Sequence, residues 1–375
     1  MAFEIAKAEG CLLYDVQGKE YIDLIGGISV ANVGHRHPKV VEAIKKQLDA
    51  YLHVMVYGEF IESPQVQYAK LLTDNLPSSL NTVYFTNSGA EAIEGSMKLA
   101  KRVTNRTQII AFKNSYHGST QGALSIIGDE YWRNAFRPLL PDVLHLHYNC
   151  FESLDEISGR TACVILEVVQ AEAGVVVPSG EWIKEIRKKC TATGTLLIID
   201  EIQTGFGRTG KLWGFERYDI TPDVLVLGKA LGGGMPLGAF IANQKLMNAF
   251  TEHPVLGHIT TFGGHPLSCA AGMAAMKVLL EENIIDSIRG KEDLLMSLVV
   301  HEKIRSYRSC GLWLSLTFDS FETNKKVIDN CITAGLMTDW FLFSPGSLRI
   351  SPPLIISRGQ ITRATEILRS AMDSI

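Results

Sequence analysis

From residue 82 onward, short apolar runs rich in β-formers alternate with helical stretches, and no other feature constrains the fold as tightly. Candidate strands fall at residues 82–86, 108–112, 162–168, 196–200, 224–228 and 239–242. Several are apolar at consecutive positions, as strands covered by helices on both faces are. Strands alternating with helices predict a mostly parallel α/β sheet. A chain of 375 residues exceeds what one core usually supports, so two domains are expected. No repeat, low-complexity tract or Pro/Ser-rich linker divides it, so the domains share chain.

The flanks read differently. Residues 11–24 alternate around Gly18 and predict a hairpin. Val40, Val41, Ile44 and Leu48 have helical spacing over 38–51. Ser63 reads as an N-cap with Pro64 at the first helical position, and Pro77 stops that helix after Leu76. A long helix is expected from about 268 to Glu282. The expected division is a small α+β domain from residues 1–50 and 271–375, and a large domain from 51–270.

Composition excludes several function classes. A formal net charge of -4 provides no basic field for nucleic acid or anionic lipid, so an anionic ligand needs a local site. The seven cysteines are odd in number and scattered, with no C-x-x-C pair. That argues against a disulfide framework or a zinc knuckle, and no metal is expected. A reducing cytosol fits best. The start, MAFEIAKAEG, lacks a basic-then-apolar leader, and no apolar run approaches the roughly 20 residues a bilayer needs. A cytoplasmic protein is the expectation.

Three motifs sit at predicted strand ends. Thr86-Asn87-Ser88-Gly89-Ala90-Glu91 closes a strand and opens a helix, with Ser88 and Glu91 in capping-box spacing. Free N–H groups at a helix start bind phosphate, although a capped helix without ligand has the same pattern. Leu196-Leu197-Ile198-Ile199-Asp200-Glu201 ends an apolar strand in two acids. A buried acid there needs a cationic partner such as a protonated pyridine nitrogen, or it caps the next turn. Val224-Leu225-Val226-Leu227-Gly228-Lys229 ends another strand in a lysine, followed by Gly232, Gly233, Gly234 and Gly238. A lysine against apolar walls becomes a nucleophile for carbonyls; a surface lysine before a flexible loop is the plain alternative. Their succession on strand ends of one sheet is far more specific than any of them alone.

Gly205-Phe206-Gly207-Arg208-Thr209-Gly210 matches the dinucleotide fingerprint G-x-G-x-x-G. Four residues separate it from the strand, and Lys211-Leu212-Trp213-Gly214 breaks any helix after it. A nicotinamide or flavin site is therefore not expected.

The run Asp200 to Lys211 is very similar to the signature of class III aminotransferases. Ser88-Gly89-Ala90-Glu91, Gly228-Lys229-Ala230-Leu231-Gly232-Gly233-Gly234 and Thr260-Thr261-Phe262-Gly263-Gly264 resemble that family too. So do Gly34-His35-Arg36-His37-Pro38 and Arg349-Ile350-Ser351-Pro352-Pro353-Leu354. The resemblance spans the chain and is nearest to acetylornithine and ornithine aminotransferases. It implies the aspartate-aminotransferase-like fold (fold type I of pyridoxal-phosphate enzymes) and pyridoxal 5'-phosphate as cofactor. It implies that Lys229 carries the cofactor covalently and moves a proton between it and the substrate carbon. Asp200 would keep the pyridine nitrogen protonated. Gln203 would bond the phenolic oxygen, and Tyr116 would stack on the ring with His117 beside it. Ser88, Gly89 and Ala90 would hold the phosphate, and Thr261 would reach the phosphate of a partner subunit in a homodimer. Arg349 would bind a substrate carboxylate, with Glu172 pairing it otherwise.

The chain also departs from the family. Glu167-Val168-Val169-Gln170-Ala171-Glu172-Ala173-Gly174 keeps the acids of the usual E-P-I-Q-G-E-G-G but loses its proline and two glycines. Ser119 replaces a carboxylate-binding arginine; Arg36 and Arg133 are the conceivable substitutes. Ile28, Ile93 and His265 replace a tyrosine and two asparagines, residues 338–343 are atypical, and the N-terminal arm is shorter than the family's. The expected reaction passes a terminal amine from an amino-acid derivative to a 2-oxo acid such as 2-oxoglutarate. N-acetylornithine is the first donor, followed by 4-aminobutyrate, ornithine or a lysine derivative. An aminomutase on the same fold, a non-enzymatic relative and a dinucleotide oxidoreductase are the rivals.

Overall fold

A computed structural model describes residues 3–375. Its centre is a seven-stranded sheet in the spatial order Thr82–Thr86, Gly238–Ala242, Val224–Leu227, Leu196–Asp200, Thr161–Glu167, Gln108–Phe112 and Val143–Leu146. Only Gly238–Ala242 runs antiparallel to its neighbours. The inner strands are buried along their whole length, which is why they read as continuous apolar runs. Helices Gly89–Thr104 and Gly180–Thr193 are amphipathic and bury their apolar sides. Asn105 and Gly194 end them in the left-handed conformation. Such a sheet binds its ligands at the carboxyl ends of its strands.

The two ends of the chain are knitted together. Ile5–Glu9, Leu12–Asp15 and Glu20–Asp23 form an antiparallel meander whose second turn uses Gly18 at φ 82. Its last strand pairs in parallel with Leu336–Met337. A second small sheet holds Ser306–Ser309, Leu314–Thr317, Ser344–Ile350 and Asp339–Phe341, in that order. Helix Pro38–Ala50 packs on Pro266–Glu281.

Three local expectations are corrected. Ser63 is not a cap: Glu62 is the extended residue before the helix, and Ser63–Asp74 has Pro64 in its second position. The strands Ile5–Glu9 and Val143–Leu146 were not anticipated, being short and partly exposed. The Ser88–Glu91 box is only half made. Glu91 N–H donates to Ser88 Oγ at 3.2 Å, but the Glu91 carboxylate accepts from the backbone and side-chain N–H groups of Asn87, each at 2.8 Å.

Candidate active site

Adjacent parallel strands bring the expected residues to one edge of the sheet. Glu167 and Asp200 end neighbouring strands side by side, and Lys229 follows the next. Gly89, Ala90, Tyr116, His117, Asp200, Gln203 and Lys229 all line one cavity of about 240 Å³. Ser88 adjoins it as the cap of helix Gly89–Thr104. Glu172 and Arg349 lie close enough to Lys229 to act on its charge. Thr261 is exposed and outside this cavity, while its neighbour Thr260 accepts a 2.9 Å bond from the Asn87 side chain.

The floor carries a buried charge cluster. His117 Nδ1 lies 2.7 Å from Asp200 Oδ2, with the two residues 2% and 4% exposed. Burial works against a charged His117 ring, but the Asp200 bond and charge outweigh it and raise the pKa. Asp200 Oδ1 accepts the Ile202 N–H at 2.9 Å, so the carboxylate is fixed from both sides. Glu167, which sequence reasoning left without a role, accepts the N–H groups of Tyr116 and Ala171 at 3.1 and 3.0 Å. Burial pushes its carboxyl up to about 7. Its signal in the sequence was its place as the last residue of an apolar strand.

Lys229 opens a short 3-10 turn, Lys229–Gly232, at φ 49, a left-handed conformation unusual for lysine. Its ammonium donates to Gln203 Oε1. Burial lowers its pKa to about 8; Glu172 opposes that and Arg349 adds to it. A larger fraction of free amine at neutral pH follows, as a carbonyl nucleophile requires.

The substrate side holds an ion pair. Arg349, 2% exposed, meets Glu172, 4% exposed, through two bonds of 3.1 and 2.8 Å. The aromatic rings of Tyr116 and Phe343 lie 6.5 Å apart, and Tyr116 Oη is 3.1 Å from Ser119 Oγ. Neither suggested substitute for the missing arginine lines this cavity. Arg133 is spent on Glu130, His145 and the Ser125 carbonyl, and Arg36 lines a different one beside His35 and His37. Ile93 is wholly buried in the core under the sheet. The glycine-rich run 205–210 folds as consecutive turns, and only the short 3-10 helix Gly214–Tyr218 follows it.

These groups fit pyridoxal phosphate. The N–H groups of Gly89 and Ala90 open a helix of 16 residues and point outward for an anion. A methyl group on Gly89 would come within 2.6 Å of Ile202 Cδ1, so a larger residue there would push the Ile202 side chain aside. Gln203 Nε2 and His117 Nε2 are buried without a partner among the described residues. Asp200 supplies the anion a pyridinium needs, and Lys229 the amine.

Comparisons with known proteins agree. The model of the class III aminotransferase family matches residues 1–372. The acetylornithine aminotransferase of Methanopyrus kandleri is 38% identical over 98% of this chain and 94% of its own. The LysW-aminoadipate semialdehyde/glutamate semialdehyde transaminase of Sulfolobus acidocaldarius is 34% identical over 98% and 94%. A solved structure of the ornithine aminotransferase from Toxoplasma gondii, with PLP partially occupying its active site, matches with a TM-score of 0.92. That match has 27% identity over 100% of this chain and 90% of that one.

Proposed function

Because this chain belongs to the class III aminotransferases, which depend on pyridoxal phosphate, we propose that it moves the terminal amino group of an amino-acid derivative to 2-oxoglutarate, N-acetylornithine being the first donor. The observation that carries the reading is the joint placement of Lys229, Asp200 and Gln203 on one cavity floor. When bound, pyridoxal phosphate supplies a carbonyl that holds the amine and a ring that takes up electrons. Lys229 holds and moves the proton at its Nζ, which its lowered pKa suits to work near neutral pH. Asp200, kept in place by His117 and Ile202 N–H, would hold the cofactor's ring nitrogen protonated through its negative charge. Gln203, which accepts from Lys229, would bond the phenolic oxygen, Tyr116 would stack on the ring with His117 beside it, and Ser88, Gly89 and Ala90 would hold the phosphate. Arg349 receives the carboxylate of the oxo acid when Glu172 releases it.

A homodimer is the assembly we assign. Tyr57, Phe60, Ile61, Val255, Leu256 and Ile259 are exposed apolar residues on the segments that flank Thr261 and lead to Ser63–Asp74, and Ile61 is 90% exposed. Such a patch suits a second copy, with Thr261 delivered to the neighbour's phosphate. Seven free cysteines suit a reducing cytoplasm.

The deciding experiment is the visible spectrum of the reconstituted protein titrated with N-acetylornithine and then with 2-oxoglutarate. Loss of the yellow band with the donor and its return with the acceptor is the expected result. A protein that never takes up the cofactor would end the proposal. Ser119→Arg supplies a second test, because position 119 now offers only a hydroxyl to the donor carboxylate. A bidentate, charge-assisted pair is worth about 1.5–3 kcal/mol, so KM for N-acetylornithine should fall by roughly 10- to 100-fold. An unchanged or higher KM with intact folding would count against a carboxylate at that position.

A further inference from the structure

Arg349 is surrounded. Its Nη1 and Nη2 meet Glu172, Nη2 also donates to the Trp340 carbonyl at 3.1 Å, and Nε lies 3.0 Å from Asp339 Oδ1. The Phe341 ring covers one face, 4.6 Å from the guanidinium carbon. Both Nη atoms are thus hydrogen-bonded, Nε has only a charge contact, and two acids share one cation.

The two acids are held differently. Glu172 comes from the loop after Thr161–Glu167, and its carboxylate also accepts the Leu342 N–H at 3.0 Å. Asp339 is set opposite Arg349 by the antiparallel pairing of Asp339–Phe341 with Ser344–Ile350. The strand register therefore delivers Asp339 whether Glu172 is present or not. The Asp339–Arg349 contact is close but out of line: Oδ1 and Nε are both buried without an aligned hydrogen bond. It acts through charge rather than direction.

We propose that Asp339 is a specificity-determining residue, which stays on the Nε edge of Arg349 when Glu172 is displaced and so weakens the hold of this arginine on an oxo-acid carboxylate. The proposal rests on Arg349 being the carboxylate receiver of the transamination above. An arginine with one resident acid presents its whole charge to the ligand once that acid leaves. Here Asp339, half-buried but with Oδ1 out of reach of solvent, remains and offsets it.

The groups facing Asp339 are Arg349, Glu172 and, further off, Asp23, itself bonded to His35. Burial raises the Asp339 carboxyl, Arg349 opposes this, Glu172 and Asp23 add to it, and the result is about 6. Below that pH the carboxyl is neutral and the grip of Arg349 is strongest; as pH rises through about 6 it ionises and the grip weakens.

The test is calorimetric binding of 2-oxoglutarate to the protein reconstituted with pyridoxal phosphate, at pH 5 and pH 8, for wild type and Asp339→Asn. The variant should bind about tenfold tighter at pH 8 and nearly equally at pH 5. Its KM for the oxo acid should fall in parallel. Equal affinities at pH 8, or one pH dependence shared by both proteins, would overturn the assignment. Should the variant not fold, the wild type decides: its affinity should drop about tenfold from pH 5 to pH 8, and a flat profile overturns the proposal. Tighter binding by Asp339→Asn with no glutamate formed by either protein would sink the transaminase reading while sustaining the role of Asp339.

Discussion

Replacing Lys229 by alanine is expected to abolish amino transfer while leaving the fold intact. No other lysine or arginine lines the cavity among the described residues, so nothing nearby can take over the proton or the covalent link. Loss of a positioned acid–base group alone costs up to about 10⁴-fold in rate, and loss of covalent attachment adds to that. Stability should not suffer. Burial already disfavours the Lys229 ammonium, holding its pKa near 8, so alanine relieves a desolvation cost that offsets the lost bond to Gln203, while the φ of 49° is equally strained for either residue. The measurements are glutamate formation from 2-oxoglutarate, and the mass of the protein after borohydride reduction with pyridoxal phosphate. Wild type should gain one cofactor and the variant none. A variant within tenfold of wild-type activity would show that Lys229 does not do this work.

Asp200→Asn should lose both activity and stability, and the second loss has a pH signature. Removing a preorganised charge at a reacting group costs about 10²–10³-fold. Within the fold, the change leaves His117 with a neutral partner in a site where both are nearly inaccessible. Breaking a buried pair costs about 3–5 kcal/mol. The sign follows from the raised pKa of His117 in the folded state. A raised folded value contributes stability that is complete below the unfolded pKa of about 6.5 and is lost as pH rises through the folded value. The variant should therefore be weakest relative to wild type on the acid side and approach it at alkaline pH. Urea melts at pH 5.5 and pH 9 would read this directly. A gap that is equal at both pH values, or absent at pH 5.5, would rule out a charged His117–Asp200 pair.

Much of this was legible in the chain because it depends on local pattern. Buried parallel strands have no polar face, so residues 162–166 and 224–227 announce themselves by continuous apolarity. The ends of those strands fall at one edge of the sheet, so Asp200 and Lys229 could be grouped before any coordinate was known. The parts that escaped depend on pairing between distant segments. Val143–Leu146 is a short, half-exposed edge strand with too few residues to show a period. Glu167 sits among apolar residues with nothing to reveal that it would receive the Tyr116 N–H from 51 positions away. Asp339 meets Arg349 only because of a register that includes an irregularity after Trp340, which no periodicity in the sequence expresses. The Ser63 cap failed by one residue, a usual margin at helix ends.

The parallel pairing of Glu20–Asp23 with Leu336–Met337 has a kinetic consequence. One of these strands leaves the ribosome more than 300 residues before the other, at about 5–20 residues per second. During that interval the early meander has one edge without its native neighbour, and closing so long a loop is slow. The sheet that carries Lys229 can form first, since all its strands lie between Thr82 and Ala242. Arg349 follows more than 100 residues after the last of those strands. A nascent chain can thus assemble the cofactor floor before it owns the arginine proposed to receive substrate, and selectivity is acquired only after that further stretch has been made.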